Sequence, residues 1–118
     1  MSVQKVLVCD DSATDLMNIK NIIEAAGCLT ITASNGAEAM DRARTERPDM
    51  IFLDILMPTM DGFETCRKLR EDPATKEIPV IFVSSKNQKA DRIWARMQGA
   101  KELISKPYSA EQIIAQLR

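Results

Sequence analysis

Histidine is absent from this 118-residue chain, and aromatic residues make up only 4% of it. The missing imidazole excludes Ser-His-Asp triads, Cys-His nucleophiles and nearly every zinc site. Any chemistry must then rest on carboxylates, hydroxyls, lysine or a bound metal. Scarce aromatics leave an aliphatic core of Val, Ile, Leu, Met and Ala. No apolar stretch approaches the ~20 residues of a membrane span. The N-terminus has no basic region followed by an apolar run, so no secretory signal is read and the cytosol is the expected compartment. A net charge of -1 lacks the strong positive field that phosphate-backbone binding requires, so nucleic acid is not an expected partner. The three cysteines, Cys9, Cys28 and Cys66, form no CxxC pair and read as small buried thiols kept reduced.

What is present is a regular alternation. Apolar runs at Val6–Cys9, Met50–Leu53, Val80–Val83 and Leu103-Ile104 read as strands, with a further strand from Cys28 to Thr32. Between them lie segments of helical period. Leu16, Ile19 and Ile23 share one face of the first helix, which Ser12 caps with Asp15 as a capping-box partner and Gly27 stops. Asn35-Gly36 turns the chain into a second helix with Ala39, Met40 and Ala43 inward. Phe63, Cys66 and Leu69 mark the third helix. Ala90, Ile93, Trp94 and Met97 give the fourth an apolar face, and Ala110, Ile113, Ile114 and Leu117 give the fifth. Five strands alternating with five helices predict an α/β fold with a parallel sheet. Right-handed crossovers make the doubly wound, flavodoxin-like order 2-1-3-4-5 the simplest solution, a three-layer sandwich formed by one domain over residues 1–118.

That order sets the first and third strands side by side, so Asp10 and Asp11 meet Asp54. Ligands bind beyond the carboxyl ends of such strands. Three crowded carboxylates call for a cation. Magnesium fits because it takes oxygen ligands and retains waters that a phosphate can replace, with manganese as a substitute. Asp11 and Asp54 are expected to ligate it directly, Asp10 largely through water, and the backbone carbonyl of Leu56 to complete the protein's share. Asp54, alone at its strand end, is the nucleophile candidate for an aspartyl phosphate. Lys106 would pair with one phosphoryl oxygen, and the Ser84 hydroxyl with backbone N–H groups would take another. A cis Lys106-Pro107 bond would help to aim the lysine. Each residue alone is ordinary: a lone Asp at a strand end is usually a turn former. Their joint placement, each at the correct end of the correct strand, is the specific signal.

Along essentially its whole length the chain resembles the response-regulator receiver domains of the CheY type. The resemblance rests on Asp10-Asp11, Asp54, Met57-Pro58, Asp61-Gly62, Ser84, Gly99-Ala100 and Lys106-Pro107. It implies that Asp54 accepts a phosphoryl group from a sensor histidine kinase of the CheA-like kind. Asp10 and Asp11 would bind magnesium, and Ser84 and Lys106 would engage the phosphate. Because the sequence ends within the last predicted helix, a stand-alone regulator with no output domain is expected, one that signals by binding a downstream protein through the fourth helix, fifth strand and fifth helix. The stretch Trp94 to Ala100 is similar to twitching-motility regulators of the PilH kind, from chemotaxis-like systems controlling type IV pili, which points to motility machinery as the target. One position departs: Leu103 stands where the family often has an inward-swinging Tyr or Phe. Leu56 and Lys86 fill variable places beside the site.

Other readings are weighed against this one. A phosphate sink for the kinase uses the same site without an output, and Leu103 leans that way. An aspartyl-nucleophile phosphatase needs a second acid two residues after Asp54, where Leu56 stands. A flavin binder needs a phosphate-cradling loop where Asp10-Asp11 would repel the phosphate. Trp94 reads first as a core residue, with partner contact as the alternative, and Lys89, Arg92 and Arg96 read as a solvated face or a docking patch for an acidic partner.

Overall fold

Five parallel strands form one sheet: β1 (Lys5–Cys9), β2 (Leu29–Ala33), β3 (Met50–Leu53), β4 (Val80–Ser84) and β5 (Glu102–Ser105). Their order across the sheet is β2-β1-β3-β4-β5, as the sequence predicts. The structure, a computed structural model, describes residues 3–118. The helices are α1 (Ala13–Ala25), α2 (Gly36–Glu46), α3 (Gly62–Glu71), α4 (Lys89–Met97) and α5 (Ala110–Gln116). Among the described residues, no helix is long and apolar enough to cross a membrane.

The inner strands are apolar at every position because both faces of the sheet are covered. Side chains alternate between faces along a strand. Val6 and Val8 of β1 therefore join Met50, Phe52, Ile81 and Val83 in one core, closed by Ile19 and Ile23 of α1 and Ile113 of α5. Leu7 and Cys9 point the other way and join Ile51, Leu53 and Phe82 against Ala39 and Ala43 of α2 and Phe63, Cys66 and Leu69 of α3. The apolar stripes read for α1, α2 and α3 thus face the sheet; of the α5 stripe, Ile113 and Leu117 do so, whereas Ala110 is exposed. All three thiols are free. Burial pushes Cys9 up to about 12 and Cys66 up to about 11, which keeps both protonated and inert.

Three local expectations are corrected. The second strand runs one residue later, Leu29–Ala33, because Cys28 still belongs to the turn whose amide bonds back to Ile23. Asn35-Gly36 is a helix start: Asn35 Oδ1 accepts from Glu38 N–H at 2.8 Å as the cap of α2. Gly36 lies against Thr65 of α3, where a Cβ would collide with its hydroxyl.

The third correction is the rotation of α4. Its predicted apolar face points to solvent: Ile93, Trp94 and Met97 are 52%, 45% and 66% exposed. Asp91 and Ala95 face inward instead. Asp91 fixes this setting. Its Oδ2 accepts from Gln88 N–H at 2.9 Å, closing a capping box, and its Oδ1 pairs with Lys86 Nζ at 3.1 Å. Ala95, one turn on, is small enough to lie close over the cluster containing Phe82 and Leu103. Trp94 keeps an edge-on contact with Phe63, ring centroids 6.4 Å apart, and is only half-buried. Reading Trp94 as core is therefore wrong.

Candidate functional site

The parallel ladder carries the site residues into position. Cys9 pairs with Leu53 at the ends of β1 and β3, so the next residues, Asp10 and Asp54, emerge side by side. Asp54 N–H still bonds Cys9 C=O at 3.0 Å, and Asp10 N–H bonds Ala33 C=O at 3.2 Å. Ser84 and Ser105 are likewise partners, and Lys106 N–H bonds Ser84 C=O at 3.0 Å. Lys106 therefore leaves the sheet two strands away from Asp54. Its long stem crosses that gap, and its peptide bond to Pro107 is cis, as the sequence reading expects.

Lys106 Nζ lies 3.2 Å from Asp54 Oδ2 and 3.0 Å from Asp10 Oδ2. Asp10 and Asp54 are buried and Asp11 is exposed. Each of the three acids offers an oxygen, and these oxygens lie within 4.8 Å of one another. Backbone amides hold both buried carboxylates. Ser12 N–H donates to Asp10 Oδ1 at 2.9 Å, while Ile55 and Leu56 N–H donate to Asp54 Oδ1 at 2.7 and 3.3 Å. Burial raises the Asp10 carboxyl above its ordinary value and the Asp54 charge adds to this, against the pull of the Ser12 amide and Lys106. Burial by itself would lower Lys106. The carboxylates of Asp15, Asp10 and Asp54 outweigh it and hold the amine above its usual range, as a cation.

Gly62 makes a further contribution. A Cβ there would fall 2.2 Å from the Asp54 carbonyl oxygen, so only glycine lets α3 begin this close to the acid. Gly62 N–H bonds Ile55 C=O at 2.9 Å, and Asp61 caps the helix through Glu64 N–H at 2.9 Å. The Asp61-Gly62 pair thus braces the loop that follows Asp54.

The other predicted residues stand further out. Ser84 is buried, and its Oγ accepts from Lys86 N–H at 3.1 Å. No hydrogen bond joins that hydroxyl to Asp54 or Lys106 among the described residues. The Leu56 side chain is exposed beside the site, and Lys86 is drawn toward Asp91 on α4. Leu103 is buried on β5 in the cluster shared with Phe82 and Ala95. Trp94 lies on the outer face of α4, away from the acids.

Two contacts escape the sequence reading. Asp15 does not complete a capping box at Ser12. Its backbone N–H donates to Ser12 Oγ at 3.3 Å, and its carboxylate accepts from Lys106 Nζ at 2.8 Å. Arg92 stays exposed but also donates to Leu103 C=O at 2.9 Å and to Ser105 Oγ at 2.6 Å, tying α4 to β5. The first joins residues 91 apart and the second reaches the next strand, 11 and 13 residues on, and helical spacing carries no signal for either.

The donor set fits a small hard cation. Three carboxylate oxygens converge, two from buried residues, opposite a single ammonium among the described residues. This fold, with an acidic cluster and a lysine beyond the strand ends, has the architecture of a signalling receiver domain. Residues 6–118 match the response regulator receiver domain, and the chain belongs to that family, the receiver domains of two-component systems.

The chain is 36% identical over 110 residues to the protein PilH of Pseudomonas aeruginosa, covering 93% of this chain and 91% of that one. It is 35% identical over 114 residues to the protein PilG of the same organism, covering 97% and 84%. Among solved structures it is similar to the chemotaxis protein CheY4 of Vibrio cholerae, with a TM-score of 0.91, 28% identity, and 98% and 97% of the two chains covered. Receiver domains are generally magnesium-dependent, in keeping with the acids gathered here.

Proposed function

We propose that Asp54 is the phosphoacceptor of a CheY-like response regulator that switches protein–protein contacts. The observation that carries this reading is the meeting of Lys106 Nζ with Asp54 Oδ2 at 3.2 Å inside an acidic cluster drawn from two other strand ends. A histidine kinase supplies the group. A carboxylate oxygen of Asp54 bonds to phosphorus as the P–N bond breaks, and the imidazole nitrogen keeps the electron pair and takes a proton from water. In hydrolysis, water attacks phosphorus, the P–O bond to Asp54 breaks, and inorganic phosphate leaves.

Magnesium, when bound, supplies positive charge against the phosphoryl oxygens. Asp11 and Asp54 would hold it directly, Asp10 largely through water, and the Leu56 carbonyl would add the last protein ligand. Lys106 neutralises a second phosphoryl oxygen. Ser84 turns its hydroxyl from the Lys86 amide toward the third, which moves the loop leading into α4. That helix carries the exposed Ile93, Trp94 and Met97 beside Lys89 and Arg96, a surface suited to an apolar, acidic segment of a downstream protein. The likeness to PilH and PilG supports a chemotaxis-like pathway, with motility machinery as the output. The buried Leu103, in place of an aromatic, supports a sink for phosphoryl groups as the second reading.

The deciding experiment is intact-mass spectrometry with acetyl phosphate, or fluorine NMR with beryllofluoride, each with magnesium. The wild type should be modified and Asp54→Ala should not respond. Equal modification of both proteins would remove Asp54 from the role.

A further inference from the structure

The three N–H groups of the Lys106 ammonium are all committed, and the nearest acceptor is not one of the three clustered acids. Asp15 Oδ2 lies at 2.8 Å, against 3.0 Å for Asp10 and 3.2 Å for Asp54. An ammonium has three donors and no more. A phosphoryl oxygen can therefore be bound only by displacing a carboxylate. Asp10 and Asp54 are buried and each is also held by backbone amides. The Asp15 side chain is 41% exposed and, among the described residues, its carboxylate accepts from Lys106 alone. It is the partner Lys106 releases at least cost.

The register of α1 builds this contact. Asp15 and Asn18 are three residues apart and face the segment after β5, where Asn18 Nδ2 donates to Tyr108 Oη at 3.0 Å. A cavity of about 420 Å³, lined by Asp15, Asn18, Ser85, Lys106, Pro107 and Tyr108, opens beside the ammonium. An anion approaching Lys106 from this side meets the Asp15 charge first.

We infer that Asp15 is a positioning residue: it restrains Lys106 in the resting site and opposes the entry of anionic phosphodonors, so it sets how readily this receiver is phosphorylated. The inference rests on Asp54 being the phosphoacceptor. With acetyl phosphate, the new bond joins an Asp54 oxygen to phosphorus, the P–O bond to the acetyl group breaks, and acetate leaves with the electron pair. Asp15 takes no part in these bonds. It competes for the ammonium that must neutralise the transferred group.

The test follows acetyl phosphate modification by intact mass in magnesium, for wild type, Asp15→Asn and Asp15→Glu, at low and high salt. Asp15→Asn keeps the shape and removes the charge. Its second-order rate constant should rise about three- to tenfold at low salt, and that gain should shrink at high salt, where exposed charges are screened. Asp15→Glu restores the charge and should return the rate to within about twofold of wild type. A purely structural role for Asp15 gives neither the salt dependence nor the rescue by glutamate. A rate for Asp15→Asn at or below that of wild type at low salt, or a gain that salt leaves untouched, overturns the inference alone. A wild type that takes up no phosphoryl group overturns the phosphoacceptor reading, and the inference falls with it.

Discussion

Helices α3 and α4 cover the same side of the sheet and are nearly equal in length, yet they pack by opposite rules. Helix α3 buries Phe63, Cys66 and Leu69, the apolar stripe its sequence displays. Helix α4 has an equally regular stripe and turns it outward, burying Asp91 and Ala95 instead. The periodicity is the same, so periodicity does not decide which way a helix faces. What decides is the set of anchors. Helix α3 enters through Asp61-Gly62 pressed against the Asp54 backbone, which leaves its large side chains over the sheet. Helix α4 enters through an Asp91 that is satisfied only when it folds back on Gln88 and Lys86, and it is tied down by Arg92 reaching Leu103 and Ser105. One helix is held by apolar burial and the other by polar contacts at its edge. The first arrangement is static support for the site. The second leaves a hydrophobic surface exposed.

Truncation gives the sharpest contrast. Leu69→Ala removes a fully buried side chain and should cost about 2–5 kcal/mol in urea unfolding, through lost transfer energy and the cavity left behind. Trp94→Ala removes a larger side chain that is only half-buried and keeps one edge contact, with Phe63, so its cost should be smaller, about 1–2 kcal/mol. Comparable losses in the two variants would break the comparison, because Trp94 would then be acting as core.

Acid should separate the helices more gently. Burial alone would raise Asp91, but the Lys86 ammonium and the Gln88 amide outweigh it and hold the carboxyl below its usual 3.8. A carboxyl lowered by folding contributes stability above its unfolded value, and that contribution is lost as pH falls through the folded value. Amide exchange measured by NMR should therefore show the first turn of α4, at Gln88 and Arg92, losing protection below pH 3.8. The middle of α3, around Cys66, should keep its protection, since apolar burial does not titrate.

Much of this architecture is legible in the chain itself. Continuous apolar runs announce strands buried on both faces, and the helical stripes of α1, α2 and α3, with Ile113 and Leu117 of α5, face where they should. The acids after β1 and β3 and the lysine after β5 are visible because each follows a recognisable strand, and the sheet order places them together. The misreadings have one kind of cause. Asp15 sits at a correct capping-box spacing, so a local partner hid the distant one. Arg92 shares a spacing with Lys89 and Arg96 that marks a solvated row, and it is exposed, but β5, the next strand, also supplies it with two acceptors.

The sequence by itself determined which segments are strands and helices, the order in which they stack, and which side chains stand at the carboxyl edge of the sheet. These follow from apolar periodicity and chain connectivity, which are local properties. Only the tertiary structure decided how α4 is rotated about its axis and which carboxylates share the Lys106 ammonium. Those choices depend on groups up to 96 residues apart competing for the same few donors and the same patch of sheet, and no window of sequence contains that competition.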